Sequence, residues 1–218
     1  MRRHPDNTNL HLHSGGSFEG FPIQADKGPF VYEYLHRLGV TMASALADYP
    51  RVFAFRVDLR LPSILQFPEQ AYTNSVIDLF LKSFKAKIKH NRYMAARNNK
   101  RAHGCRVRYV WAREVGSYGR PHYHLLVLLN QDAFYTLGRR DSQNDNMYRR
   151  LDEAWASALG VSVEAVSGLV HEPDNAVYRL HRHDQGGQAE LFNRASYLCK
   201  TATKVYGDGN HAFGASRS

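Results

Sequence analysis

Apolar residues recur along this chain with two distinct periods. Between residues 30 and 49, Phe30, Tyr34, Leu38, Met42 and Ala45 fall at helical spacing, and Pro50 closes the segment. Residues 52–61 then alternate. Phe53, Phe55, Val57, Leu59 and Leu61 share one face of a predicted strand, Arg56, Asp58 and Arg60 share the other, and Pro62 stops it. That pattern predicts a half-buried strand. Thr73 or Asn74 is placed to cap a second helix whose core stripe is Val76, Ile77, Phe80, Leu81, Phe84 and Ile88. Its remaining face carries Lys82, Lys85 and Lys89. Two strand-like runs follow, at 106–115 and 122–129, joined by Gly116-Ser117-Tyr118-Gly119-Arg120-Pro121, a stretch of turn residues. A third helix over 147–159 buries Leu151, Trp155 and Leu159, short strands are expected near 168–171 and 176–180, and a last helix spans 188–206 before Gly207. No internal repeat is present. Antiparallel strands separated by helices predict an α+β fold, a central antiparallel sheet with one face covered by helices. Residues 1–27, rich in His, Gly, Ser and Asn, read as a flexible arm, 28–206 as one domain and 207–218 as a flexible tail.

Composition narrows the class. A chain of 218 residues suits one domain with a substantial core. No segment reaches the apolar length of a membrane span, and no signal-peptide core follows Met1-Arg2-Arg3-His4-Pro5-Asp6. Cys105 and Cys199 make neither a disulfide framework nor a zinc-ligand spacing, so a reducing cytoplasm is expected and no membrane partner. The formal charge of +9 points to a polyanionic partner. It is also uneven: residues 82–108 hold ten Lys and Arg and no Asp or Glu. Such a stretch repels itself unless an anion relieves it. Lys82, Lys85, Lys89, Arg92, Arg97, Lys100 and Arg101, with Lys204 further on, are therefore candidate contacts to nucleic-acid phosphates, which add salt dependence but no sequence specificity. Tyr93, Tyr118 and Phe134 are candidates for stacking on unpaired bases, with packing as the plainer alternative.

The candidate chemistry begins with Gly119-Arg120-Pro121-His122-Tyr123-His124, at the head of an unbroken apolar strand. Alternation puts His122 and His124 on one face. If the hairpin to the preceding strand has an even register, Glu114 joins them; an odd register sends it to the opposite face. Two imidazoles and a carboxylate with coordination positions left open suit a divalent ion. The pairs His11/His13 and His181/His183 lack such a strand and carboxylate, and read as surface histidines. Asp58 is either a supporting group for this site or a surface partner of Arg56 or Arg60.

On the predicted last helix Leu191, Ala195, Leu198, Ala202 and Val205 form one stripe, the expected buried side. Asn193, Tyr197, Lys200 and Lys204 form another, turned away by roughly 120–180° at 3.6 residues per turn. Tyr197 thus sits on a polar face, one turn from Lys200; Cys199 is assigned to packing. A phenol is a poor nucleophile at neutral pH unless assisted. A metal-bound phosphodiester and a neighbouring lysine would supply that assistance, and a covalent phosphotyrosine link would keep the energy of the broken bond for rejoining.

Gly119-Arg120-Pro121-His122-Tyr123-His124-Leu125-Leu126, the upstream Glu114 and Tyr197-Leu198-Cys199-Lys200 resemble the HUH endonucleases that initiate rolling-circle replication. The chain is closer still to the inovirus-type replication protein (gene II protein-like) and prophage YagK/YfjJ C-terminal family, whose first strand is similar to residues 52–62. The resemblance covers most of residues 30–206. It implies an HUH-type (RRM/ferredoxin-like) domain that nicks single-stranded DNA at the origin of a phage, prophage or plasmid, stays on the 5′ phosphate and leaves a 3′ hydroxyl for a polymerase. By position His122, His124 and Glu114 match the metal ligands, Tyr197 the nucleophile and Lys200 its lysine. Mg²⁺ or Mn²⁺ is the expected metal, Mn²⁺ being better matched to imidazole. A separate host helicase is implied, because no ATPase motif is visible. Enzymes of this kind with two tyrosines space them by one helical turn; here the next is Tyr206, so a one-tyrosine site is expected. Two alternatives remain open: a non-catalytic prophage DNA-binding regulator, and a zinc-dependent hydrolase using the same three ligands.

Overall fold

The alternating strand predicted at 52–61 becomes the middle of a six-stranded sheet. The computed structural model describes residues 2–62, 67, 69–116, 119–142 and 144–217. Their elements run in the order β1 (Arg2–Arg3), β2 (His11–His13), β3 (Ser17–Phe18), β4 (Phe21–Pro22), β5 (Phe30–Val31), α1 (Tyr32–Asp48), β6 (Arg51–Leu59) and α2 (Ser75–Asn98). They continue with β7 (Arg108–Val115), β8 (Pro121–Asn130), α3 (Met147–Leu159), β9 (Val170–His171), β10 (Val177–His181), α4 (Gln185–Ser196) and β11 (Phe213–Ala215). The main sheet has the order β10-β6-β8-β7-β11, every pair antiparallel, with β9 on the same edge of β6 as β10. The α+β class and the antiparallel core are therefore as expected.

Helices cover both faces, not one. Phe53, Phe55, Val57 and Leu59 of β6 meet Tyr123, Leu125, Val127 and Leu129 of β8 beneath α2 and α3, where Trp155 is fully buried. On the other face Val52 and Ala54, with Leu126, Leu128, Val110 and Ala112, pack under α1 and α4. β6 is thus buried along both sides. Its polar positions Arg56 and Asp58 masked the apolar ones, Val52 and Ala54, that precede them on the same face.

The chain ends belong to this packing. Residues 2–27, expected as a separate arm, supply β1 and β2 of a small sheet with β5 and the hairpin β3–β4. Phe18 and Ile23 are buried, and Phe21 stacks on Phe192 of α4 at 4.9 Å. His4 lies edge-on to Tyr206 at 4.8 Å. The expected tail contributes β11, and Phe213 stacks on Tyr34 at 4.3 Å.

The last helix ends earlier than its periodicity predicts. α4 stops at Ser196, Tyr197–Cys199 tighten into a 3-10 turn, and Lys200 is extended (φ −59°, ψ 150°). Pairing pulls the chain out of the helix: Lys200 bridges to Phe30, and the Thr201 N–H donates to the Pro29 carbonyl at 2.9 Å. Ala202 and Val205, expected in the core, are consequently exposed. At the start of α2, Asn74 makes no side-chain cap; its Nδ2 donates instead to the His211 carbonyl at 3.0 Å, and Thr73 Oγ1 accepts from Ser75 N at 3.3 Å.

Gly214 stands opposite Trp111 in the β11–β7 pair, and a Cβ there would overlap the indole. Gly214→Ala is expected to cost about 1–3 kcal/mol in chemical denaturation, the usual penalty of overpacking; unchanged stability would contradict the pairing of β11.

Candidate active site

Strand register assembles the site. In the β7–β8 hairpin Glu114 stands directly opposite His122, and across β8 the partner of His124 is Asp58 of β6. Residues opposite one another share a face, so all four side chains project from the α1/α4 side of the sheet. The even register that the hairpin required is present. Glu114 Oε2 lies 3.7 Å from His122 Nε2 and 3.5 Å from His124 Nε2. The ligand atoms of Glu114, His122 and His124 all fall within 4.8 Å of one another. Metal–ligand bonds of about 2.0–2.2 Å place neighbouring donors at separations of roughly 3–3.5 Å, so the triad is close to ligand spacing.

The donor chemistry fits a cation as well. His124 Nδ1 meets Asp58 Oδ1 at 2.6 Å, which leaves Nε2 facing the triad. That Nε2 is enclosed and has no hydrogen-bond partner among the described residues. Enclosed polar atoms seldom go unsatisfied, and a carboxylate behind an imidazole is the arrangement that orients and strengthens a metal-binding histidine. Asp58 is therefore no surface ion-pair partner: it is buried and supports His124. Burial would raise the Asp58 carboxyl, but the His124 contact outweighs it and lowers it. For His124 burial acts downward, and the contacts with Asp58 and Glu114 reverse it.

Glu114 divides its two oxygens. Oε2 faces the imidazoles, while Oε1 accepts from Lys204 Nζ at 3.0 Å and lies 3.3 Å from Lys200 Nζ. Burial alone would raise this carboxyl; the imidazoles and the Lys204 charge hold it far below the usual carboxylate range. Lys204, placed among the phosphate contacts by sequence, has a fully buried side chain committed to Glu114, so it is not available to DNA.

Tyr197 reaches this centre from the 3-10 turn. Its ring meets His124 edge-on at 5.7 Å, and its hydroxyl accepts from Lys200 Nζ at 2.6 Å. The polar face expected for Tyr197 turns inward, over the sheet rather than toward solvent. Lys200 touches both the phenol and Glu114, and so joins the two constellations. Tyr206 lies elsewhere, between His4 and Tyr34.

The expected basic surface is not part of this centre. α2 covers the opposite face of the sheet, and Lys82, Lys85 and Lys89 are exposed along it, followed by Arg97, Lys100 and Arg101. Arg92 hydrogen-bonds Asn91 and stacks on Phe134 at 4.5 Å, which engages that ring in packing. Tyr93 is exposed beneath Arg97, and Tyr118 lies outside the described residues. Sequence reasoning missed the cations beside the triad. A cleft of about 270 Å³ there is lined by Asp58, Arg60, Leu61, Arg120, Pro121, His122 and His124. The signal was present, because Arg56, Asp58 and Arg60 alternate onto the face that the histidines use.

Among the described residues no helix is long and apolar enough to cross a membrane. The chain matches the family described as the YagK/YfjJ C-terminal domain over residues 15–216. It is 34% identical to the Escherichia coli (strain K12) protein YagK over 202 residues, 89% of this chain and 97% of that protein. To YfjJ of the same organism it is 31% identical over 200 residues, 87% of this chain and 96% of the relative. Neither name states an activity. No solved structure matches the chain.

Saturating Mn²⁺ is expected to raise the melting temperature of the wild-type protein, by the equivalent of about 2.7 kcal/mol at one hundred times Kd, and to leave His124→Ala unmoved. Asp58→Asn is expected to weaken Mn²⁺ about 10- to 100-fold in calorimetric titration. An Asp58→Asn protein with wild-type affinity would remove the carboxylate from the metal site.

Proposed function

The chain belongs to the YagK/YfjJ C-terminal domain family, and from the site just described we propose that it is a metal-dependent nuclease of HUH type. It nicks single-stranded DNA by transferring the 5′ phosphate to Tyr197. The resemblance to inovirus-type replication proteins supplies the setting: an origin on a phage, prophage or plasmid, in the cytoplasm, with a separate helicase and polymerase. The observation that carries the reading is Lys200, whose ammonium touches the Tyr197 hydroxyl and the Glu114 carboxylate together.

Each side chain has a definable task. Tyr197 Oη attacks phosphorus, the bond from phosphorus to the 3′ oxygen breaks, and the phenolic proton is balanced by protonation of that departing oxygen. A 5′-phosphotyrosine diester and a free 3′ hydroxyl result, and the reverse reaction rejoins the strand. Lys200 holds the phenol oxygen and offsets the negative charge that develops on it as its proton is lost ahead of attack. His122, His124 and Glu114 would hold a divalent ion, Mg²⁺ or Mn²⁺, whose Lewis acidity would draw charge from the phosphate. Asp58 keeps the His124 ring in its orientation. The remote basic face of α2 would hold more of the DNA through its phosphates.

A Tyr197-dependent covalent band is expected on a denaturing gel when labelled single-stranded oligonucleotides are incubated with Mn²⁺, and its loss with EDTA. Tyr197→Phe is expected to abolish adduct and cleavage together, and Lys200→Met to slow cleavage by about 10²- to 10³-fold. Turnover that survives Tyr197→Phe would favour a hydrolase using an activated water; DNA binding with no cleavage of any origin fragment would favour a regulator.

A further inference from the structure

The polar face of β6 carries a charge that the triad does not use. Arg56 lies two residues before Asp58 on the face shared with His124, and it is 4% exposed. Its guanidinium makes no hydrogen bond to any described residue, and its Nε is enclosed without a partner. Its neighbour is the ring of Tyr197, whose centre lies 5.7 Å from Arg56 Cζ. Asp58 acts on Arg56 only through space, while its Oδ1 meets His124 Nδ1.

A second cation lies close by. Arg194 sits one turn before Tyr197 on α4, its Nη2 donates to the Asp174 carbonyl at 2.9 Å, and its enclosed Nε also has no partner among the described residues. Its charge has the same sign as that of Arg56 and repels it. Across β6 from Asp58, on the same face, His171 has an enclosed Nδ1 that is likewise unpaired. Buried guanidinium groups without acceptors are costly, and apolar residues of similar volume at such positions often stabilise a fold. Arg56 is such a group; half-buried Arg194 adds a second guanidinium whose Nε has no partner among the described residues, so the pair beside one tyrosine forms a place for an anion, and the planar fork of arginine matches phosphate oxygens.

We propose that Arg56 and Arg194 form a phosphate subsite that holds an unreacting phosphate of the bound strand beside Tyr197. The inference rests on the strand-transfer reading for its choice of ligand. In it, Arg56 and Arg194 position the strand so that the reacting phosphate lies over Lys200 and the triad.

The test is binding of a fluorescein-labelled oligodeoxythymidylate to Tyr197→Phe protein, followed by anisotropy across a salt series. Adding Arg56→Met is expected to weaken binding about 10- to 100-fold, the worth of a charge-assisted hydrogen bond. The slope of log affinity against log salt should fall by about 0.7, the value for one phosphate on a single strand. The melting temperature should hold or rise; Arg194→Gln should show the same binding loss, and serves if the Arg56 variant does not fold. Unchanged affinity and slope in a folded variant would overturn the subsite. If wild-type protein forms no Tyr197 adduct yet these binding losses appear, strand transfer fails and the subsite stands. Equal adduct rates in wild-type and Arg56→Met proteins would sink the subsite and leave strand transfer intact.

Discussion

The register of three antiparallel strands is the constraint on which this site depends. Pairing Asp58 with His124 and Glu114 with His122 fixes which side chains share a face before any helix is added. A slip of one residue between β7 and β8 would send Glu114 to the α2 side, among Trp111 and Tyr123, and leave the imidazoles without a carboxylate. Burial defends the register. Tyr123, Leu125, Val127 and Leu129 occupy one face of β8 and Leu126 and Leu128 the other, so a slip would misplace apolar groups on both. The apolar run that makes β8 recognisable therefore also holds its two histidines in place.

Upon this frame the protein concentrates charge where it is expensive. Glu114, Asp58, His124, Lys200 and Arg56 are all buried, on a sheet face that continues into the apolar cluster of Val52, Ala54, Val110, Ala112, Leu126 and Leu128. Most of these charges compensate one another: the carboxylate of Glu114 serves two imidazoles on one oxygen and two ammonium groups on the other. What lacks a hydrogen bond among the described residues is a set of nitrogens, the Nε of Arg56, the Nε of Arg194 and the Nε2 of His124, the last of which faces Glu114 at 3.5 Å. On the proposed reading, these surplus donors would face a bound metal and an anionic strand. Apolar replacements at such a place would be expected to favour the fold alone.

The elements set by apolar period were legible from the residues. The third helix occupies 147–159 as expected, the central hairpin forms, and its register brings Glu114 to the histidines. Pairings between distant segments were not legible. Nothing local to Lys200 announces that it will bridge to Phe30, so the 3.6-residue period was continued through Tyr206 although the helix stops at Ser196. For the same reason the N-terminal residues, polar and glycine-rich in composition, hid Phe18 and Ile23 as core contacts. The grouping of Tyr197 with Lys200 and Lys204 came from a helical wheel. The residues do converge, by way of a 3-10 turn and a reversal, and Lys204 arrives as a partner of Glu114 rather than of DNA. Asp58 was ambiguous because a strand tells which face a side chain occupies, but not what stands opposite it on the next strand.

The central claim is that two imidazoles and one carboxylate of this face converge on a single divalent ion beside Tyr197. Pulsed electron paramagnetic resonance of stoichiometric Mn²⁺ reads the ligands directly, through the couplings of imidazole nitrogen to the metal electron spin. The account predicts two such nitrogens in the wild-type protein and one in His122→Gln. A spectrum with water protons alone, or one unaltered by His122→Gln, would contradict it.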